Sequence, residues 1–470
     1  MTSRTPVAAQ IGAVGLGALA AALAQTLIVP VLPTMAADLG VSVGDAQWLL
    51  TATLLVAAVS VPVLGRMADM FGRRLVLLVA LGGLAVGSLV DALTSDFGVM
   101  IAGRAIAGIS AAAIPLGISL LATVLPAERR GSATALISAM LGIGGALGLP
   151  LAGVIGDHAD YHILYWIACG GAAISAVAIA AFVREPAFER QRRIDWAGIL
   201  LLCVGLGALV LGISQGTSWG WGSARILGLF AVAVVTLAVL VGVEGRVANP
   251  LISLPALRRP PIALTNVASL CVGFALFASF IGTSNYVQAP EATGYGFGSS
   301  VLTAGLCLLP SGILMLVLAP VAARMIGSWG PARVLALAGV IIAAGLVFRI
   351  VAVDALWQVI VGASIVGAGT GIGYASMPSL INAHTPRAEL AAANGINALA
   401  RSLGSSLASA AGGALLSAMT VTVAGYAMPS LGAYRVLFAI CAAASLLASV
   451  IGLAIPGRAR GEEPAPVSAS

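Results

Sequence analysis

Three side chains are placed where they could move a proton or hold a charge within apolar surroundings: Asp91, Arg104 and Arg401. A carboxylate taken out of water beside a cation can load and release a proton, because burial disfavours its ionised form and the cation favours it. Arg104 stands about a third of the way along the apolar run Phe97 to Leu121. A guanidinium there costs about 2.5–3.5 kcal/mol unless it meets water or a partner, so it is expected to face a cavity. Asp91 ends the preceding run, and a short turn returns the chain towards Arg104. The pair is a candidate coupling site, the alternative being that Asp91 merely sits at the membrane interface, and Glu291, near Tyr286 and Gln288, is a second candidate. Arg349, close to Asp354, is expected to snorkel to the interface. A different chemistry belongs to Gly65-Arg66-Met67-Ala68-Asp69-Met70-Phe71-Gly72-Arg73-Arg74, a charged turn between two uncharged runs. Asp69 could accept bonds from helix-end amides and from an arginine of a neighbouring half, so that Gly65, Asp69, Gly72, Arg73 and Arg74 act as a gating motif rather than a passive turn.

The elements that must carry these residues are membrane helices. The chain is 60% apolar and 9% charged, far from the roughly 25% charged of a soluble protein. Fourteen apolar runs follow one another, each long enough to cross a bilayer and satisfy its own amides. They include Ile11 to Ala36, Phe97 to Leu121, Ala133 to Ile155, Ala355 to Ile381 and Ala391 to Val423. The first run is too long for the core of a secretion signal and reads as an uncleaved span. All 23 cationic residues are arginine. On alternating loops Arg66, Arg73, Arg74, Arg129, Arg130, Arg184, Arg258, Arg259, Arg324, Arg333 and Arg387 share one side with Arg4, Arg190, Arg192, Arg193, Arg246, Arg458 and Arg460. The positive-inside rule then places both termini in the cytoplasm. The opposite loops carry Asp45, Asp96, Asp157, Asp160, Glu291 and Asp354.

Composition also excludes. His158, His162 and His384 have no metal spacing, and Cys169, Cys203, Cys271, Cys307 and Cys441 lie singly in apolar runs, so no metal and no cofactor is expected. Without lysine there is no nucleotide-binding glycine loop, and the net charge of +6 belongs to the membrane face rather than to nucleic acid. No enzymatic constellation stands out.

The loop from Gly65 to Arg74 resembles the signature between helices 2 and 3 of the major facilitator superfamily of secondary transporters. Asp195-Trp196-Ala197-Gly198, Trp219-Gly220-Trp221 and Pro250-Leu251-Ile252 before Arg258 and Arg259 are similar to the insert of its fourteen-helix drug:proton antiporter branch. The resemblance implies an all-α integral membrane fold of two six-helix bundles plus a two-helix insert. The boundaries expected are 1–190 and 261–456 for the bundles, 191–260 for the insert and its linker, and 457–470 for a disordered tail. Gly144, Gly148, Pro150 and Gly153 resemble the antiporter motif of the fifth helix, with the proline shifted by one position and one glycine replaced by Ala152. Arg104 resembles the fourth-helix arginine that adjusts a proton-carrying carboxylate. Gln25, Asn397 and Arg401 are the implied cavity residues, Arg401 being the expected second-half counterpart of Arg104. The first-helix aspartate of the branch is replaced by Ala24.

The expected function is proton-coupled efflux of lipophilic small molecules by alternating access in the inner or plasma membrane. Its partners are the substrate, protons and lipid. The alternative, favoured by Ala24, is a facilitator or exporter of an endogenous metabolite or lipid. Substrate identity and oligomeric state do not follow from the sequence.

Overall fold

The structure is a computed structural model and describes residues 6–185, 195–245, 257–423 and 426–456. Arg4, Arg190, Arg192, Arg193, Arg246, Arg458, Arg460, the Pro250-Leu251-Ile252 stretch and the 457–470 tail lie outside the described residues. Thirteen described helices are long and apolar enough to cross a membrane. In chain order the transmembrane helices are α1 (Val7–Thr26), α2 (Trp48–Phe71), α3 (Arg73–Leu93), α4 (Phe97–Val124), α5 (Ala127–His158), α6 (His162–Phe182), α7 (Trp196–Trp219) and α8 (Ala224–Glu244). They continue with α9 (Pro260–Gln288), α10 (Val301–Trp329), α11 (Pro331–Val351), α12 (Leu356–His384), α13 (Leu390–Ala418) and α14 (Leu431–Ala454). The one below the hydropathy of a lone span is α13, of 29 residues. Asn394, Asn397 and Arg401 are tolerated because neighbouring helices bury them. Alternation along the chain puts the arginines of the 66–74, 129–130, 258–259, 324–333 and 387 loops at one end, called here the arginine-rich end.

Proline chemistry sets the interruptions. The run expected from Ile11 to Ala36 is broken: α1 stops at Thr26, the chain turns through Leu27–Val31, and a short helix, Leu32–Asp38, follows. Pro30 lacks an amide hydrogen and restricts the residue before it, so a continuous helix is lost. The expected run Phe97 to Leu121 is α-helical to Gly108, tightens to a 3₁₀ turn over Ile109–Ala112, and resumes at Ala113–Val124. Pro115 cannot donate to the Ala111 carbonyl, which releases this turn from α geometry. The run expected to reach Val423 instead ends at Ala418. Thr420–Val423 pairs antiparallel with Tyr426–Pro429, Thr420 opposite Pro429. Alternating Thr and Val favour a strand over a helix end.

Each bundle has its own apolar core. One joins Val14, Leu77, Leu81, Leu116 and Ile137, and the other joins Val272, Met315, Leu346, Val366 and Phe438. The insert is not peripheral: α7 packs through Leu202, Leu206 and Val210 against Ala58 of α2 and Leu399 of α13. Two glycine crossings repeat between the halves. A side chain on Gly87 would strike the Gly103 carbonyl, as one on Gly345 would strike that of Gly362; Gly144 meets the Ala22 backbone as Gly404 meets that of Leu270. This register aligns α3 and α4 with α11 and α12, and α5 with α13, as parallel repeats require.

Candidate functional site

At the arginine-rich end the halves are joined by a hydrogen-bonded latch. Gly72, at φ 110°, makes the turn between α2 and α3 in a conformation that favours glycine. The Asp69 side chain, 1% exposed, accepts from the backbone amides of Ala391 (3.2 Å) and Ala392 (2.9 Å), the first turn of α13 in the other half. A carboxylate at a helix N-terminus satisfies otherwise orphaned amides and meets the positive end of the dipole. Arg73 Nη2 donates to Asp69 Oδ1 (2.8 Å) and to the Arg387 carbonyl (2.5 Å), while its Nη1 donates to Thr123 Oγ1 (2.9 Å). The arginine bonded to Asp69 thus comes from its own bundle, and the second half contributes amides and a carbonyl. Gly65 permits the approach, since a Cβ there would lie 2.8 Å from the Ala391 carbonyl. Glu185, which the sequence reading did not single out, accepts from the amides of Arg73 (3.1 Å) and Arg74 (2.9 Å) and so caps α3. Arg74 Nη2 donates to the Ala180 carbonyl.

Towards the middle, a cavity of about 60 Å³ lies between the bundles. Gln25, Leu54, Ile114 and Leu141 come from the first bundle, Val210 from the insert, and Arg401, Ser402 and Ser406 from α13. It holds a few waters rather than a drug, which needs roughly 300 Å³ or more, so the two halves are nearly closed upon each other. Behind it, Arg104 is 1% exposed and borders a crevice with Ala24, Gln25, Thr53 and Ser110. Its Nη2 donates to the Ala24 carbonyl (3.2 Å), its guanidinium lies 6.0 Å from the Tyr165 ring centroid, and its Nε has no partner.

Asp91 is fully buried, and neither of its carboxylate oxygens has a hydrogen-bond partner. It sits over Gly103, where any side chain would strike it, and Arg104 acts on it electrostatically. The two are not an ion pair: among the described residues those are Asp69 with Arg73 and Asp160 with His162. Glu291 lies elsewhere, exposed in a 3₁₀ turn between α9 and α10. His162 contacts Asp160 (2.6 Å) and the Thr94 carbonyl (3.0 Å), clasping two loops at the end opposite the arginines.

In the second half Asn397 donates to Asn266 Oδ1 (3.0 Å) and Ser269 Oγ (2.7 Å), tying α13 to α9. Arg401 is 7% exposed, with its guanidinium 4.8 Å from the Tyr374 ring centroid. It is not the counterpart of Arg104. The glycine crossings match Arg104 to Ala363, Arg401 to Leu141 and Asp91 to Arg349. Nor does Arg349 snorkel: it is buried over the Phe438 ring at 4.1 Å and donates to Thr283 Oγ1 (2.5 Å) and Ser279 Oγ (3.3 Å). Those hydroxyls on α9 supply the partners that water would have given.

The fifth helix has two close-packing faces. Gly144 and Gly148 meet Ala22 and Thr26 of α1, where Thr26 Oγ1 donates to the Gly144 carbonyl (3.0 Å). Gly142, Pro150 and Gly153 meet Met315, Gly305 and Leu302 of α10 in the other half. Only the first face shows as four-residue spacing in the sequence; the second needs the partner helix to reveal it.

Two helical bundles packed along a glycine seam, latched at one end around a central cavity, define a polytopic transporter architecture. The chain belongs to the major facilitator superfamily, whose family model matches residues 14–409 and again 271–469. An uncharacterized MFS-type transporter of Mycobacterium tuberculosis is 33% identical over 69% of this chain, which spans 46% of that relative's length. The tetracenomycin C resistance and export protein of Streptomyces glaucescens is 27% identical over 86% of this chain and 75% of its own. The multidrug resistance protein Stp of M. tuberculosis is 28% identical over the same shares. Among solved structures, the human organic anion transporter MFSD10 (TETRAN) superposes with a TM-score of 0.69 at 18% identity, covering 95% of this chain and 99% of that one, a likeness of fold.

Proposed function

We propose that the protein is a proton-coupled exporter of lipophilic small molecules, working by alternating access in the inner membrane with both termini in the cytoplasm. The observation that carries this reading is a largely apolar inter-bundle cavity beside a latch that ties α2 to α13 at the arginine-rich end. Breaking that latch opens the cavity to the arginine-rich side, while parting α5 from α10 opens the other, and binding energy differing between the two states drives the exchange. The names of the Streptomyces and Mycobacterium relatives support efflux. For coupling, Asp91 is the carboxylate and Arg104 its neighbouring cation. An ionised carboxylate without hydrogen bonds is costly in this position, so proton uptake accompanies burial and release accompanies hydration.

The test uses full-length protein in proteoliposomes with an imposed pH gradient and a small panel of dyes and antibiotics. Gradient-driven transport is expected to collapse with an uncoupler. Asp91→Asn is expected to lose gradient-driven accumulation while keeping counterflow. Full proton-driven transport in that variant removes Asp91 from the mechanism. Transport indifferent to the uncoupler favours the second reading, a facilitator or exporter of an endogenous metabolite or lipid. That reading draws on Ala24, whose carbonyl takes the Arg104 bond.

A further inference from the structure

We infer that the inter-bundle cavity, enlarged when the halves part beyond the nearly closed arrangement seen here, selects anionic amphiphiles and that Arg401 docks their negative head group, an inference that rests on the transport reading and names its substrate class. Arg401 lines the cavity, is more than nine-tenths buried, and contacts the Tyr374 ring face. No ion pair among the described residues includes it, and no aspartate or glutamate lines the cavity. A guanidinium carries five N–H donors in a planar fork, and a ring face engages its charge without accepting those donors as a carboxylate would. The site is therefore built for an anion and lacks one of its own.

The repeat explains why the ligand should be amphiphilic. Leu141 stands three residues before Gly144 in α5, and Arg401 three residues before Gly404 in α13. Equivalent positions in the two halves thus face one cavity with a leucine on one wall and an arginine on the other. Leu54 and Ile114 extend the apolar wall; Ser402 and Ser406 extend the polar one. The surrounding charge agrees. Of the charged residues with buried side chains, Asp69, Arg73 and Glu244 lie at the arginine-rich end, and the others are Arg104, Arg349 and Arg401 against Asp91. Three cations to one carboxylate in a low-dielectric interior attract an anion and repel a cation.

Purified full-length protein in detergent is titrated by equilibrium dialysis with naphthylacetate, naphthylethanol and naphthylethyl trimethylammonium, which share a ring and differ in charge. The wild type is expected to bind the anion at least about tenfold more tightly than the alcohol or the cation, as one charged hydrogen-bond pair allows. Arg401→Gln should erase that preference and Arg401→Lys should keep part of it, with alcohol affinity unchanged within about twofold as evidence of an intact cavity. A wild type that binds cation as tightly as anion overturns the assignment. So does an Arg401→Gln variant that weakens alcohol and anion alike. Arg401-dependent anion binding without any movement of the anion in proteoliposomes would instead reject the transport reading and leave the site standing.

Discussion

Asp69 shows how one carboxylate can hold two bundles together without an ion pair across them. Its oxygens reach two first-turn amides of α13, and its charge is balanced within its own bundle by Arg73. Asp69→Asn keeps the shape but surrenders the charge that the helix end and Arg73 prefer, a loss of about 1 kcal/mol or more in the latched state. The expected outcome is loss of transport at unchanged expression, read by membrane immunoblot beside dye efflux; wild-type efflux would reduce the latch to a passive turn. The role of Glu185 is not legible in the sequence, because it depends on the end of α6 meeting the start of α3 and nothing local to Glu185 announces that meeting.

At the scale of the element, α5 is decided by backbone contact. A methyl group at Gly305 would come within 2.7 Å of the Pro150 nitrogen, whereas one at Gly82 meets nothing within 4 Å. Gly305→Ala is therefore expected to wedge α5 from α10, costing about 1–3 kcal/mol by overpacking. Gly82→Ala should be neutral or stabilising by about 0.5–1 kcal/mol from helix propensity alone. Thermal unfolding in detergent, with efflux measured in parallel, separates the two; equal behaviour would deny the seam its role. The same reasoning accounts for α4, where Pro115 leaves a 3₁₀ turn whose Ser110 borders the Arg104 crevice and whose Ala111 borders the cavity as well.

For the molecule as a whole, the arginine asymmetry makes a topological statement. Cysteines introduced at Arg129 and at Asp96, in a background with the native cysteines removed, should label from opposite sides of the membrane, Arg129→Cys from the cytoplasm. Labelling of both from one side would overturn the even count of crossings. The insert belongs to this scale too. Because α7 touches both α2 and α13 and lends Val210 to the cavity, motion of the latch must be accommodated by the insert rather than pass beside it.

The membrane class, the near-complete set of spans, the arginine-rich face and the loop that forms the latch are legible in the residues alone. Those follow from local quantities: apolar run length, the cost of charge in lipid, and the conformational demand of Gly72. Other features depend on contacts between segments far apart in the chain. Arg401 resembled a partner of Arg104 until the glycine crossings matched it to Leu141, and Arg349 looked interfacial until Ser279 and Thr283 closed around it. Which residues of α5 face the other half was settled in the same way. The physical reason is common to all of these: a membrane helix advertises its length and its end charges, but which side of it meets water, lipid or a neighbour depends on rotations fixed by packing against helices far away in the chain.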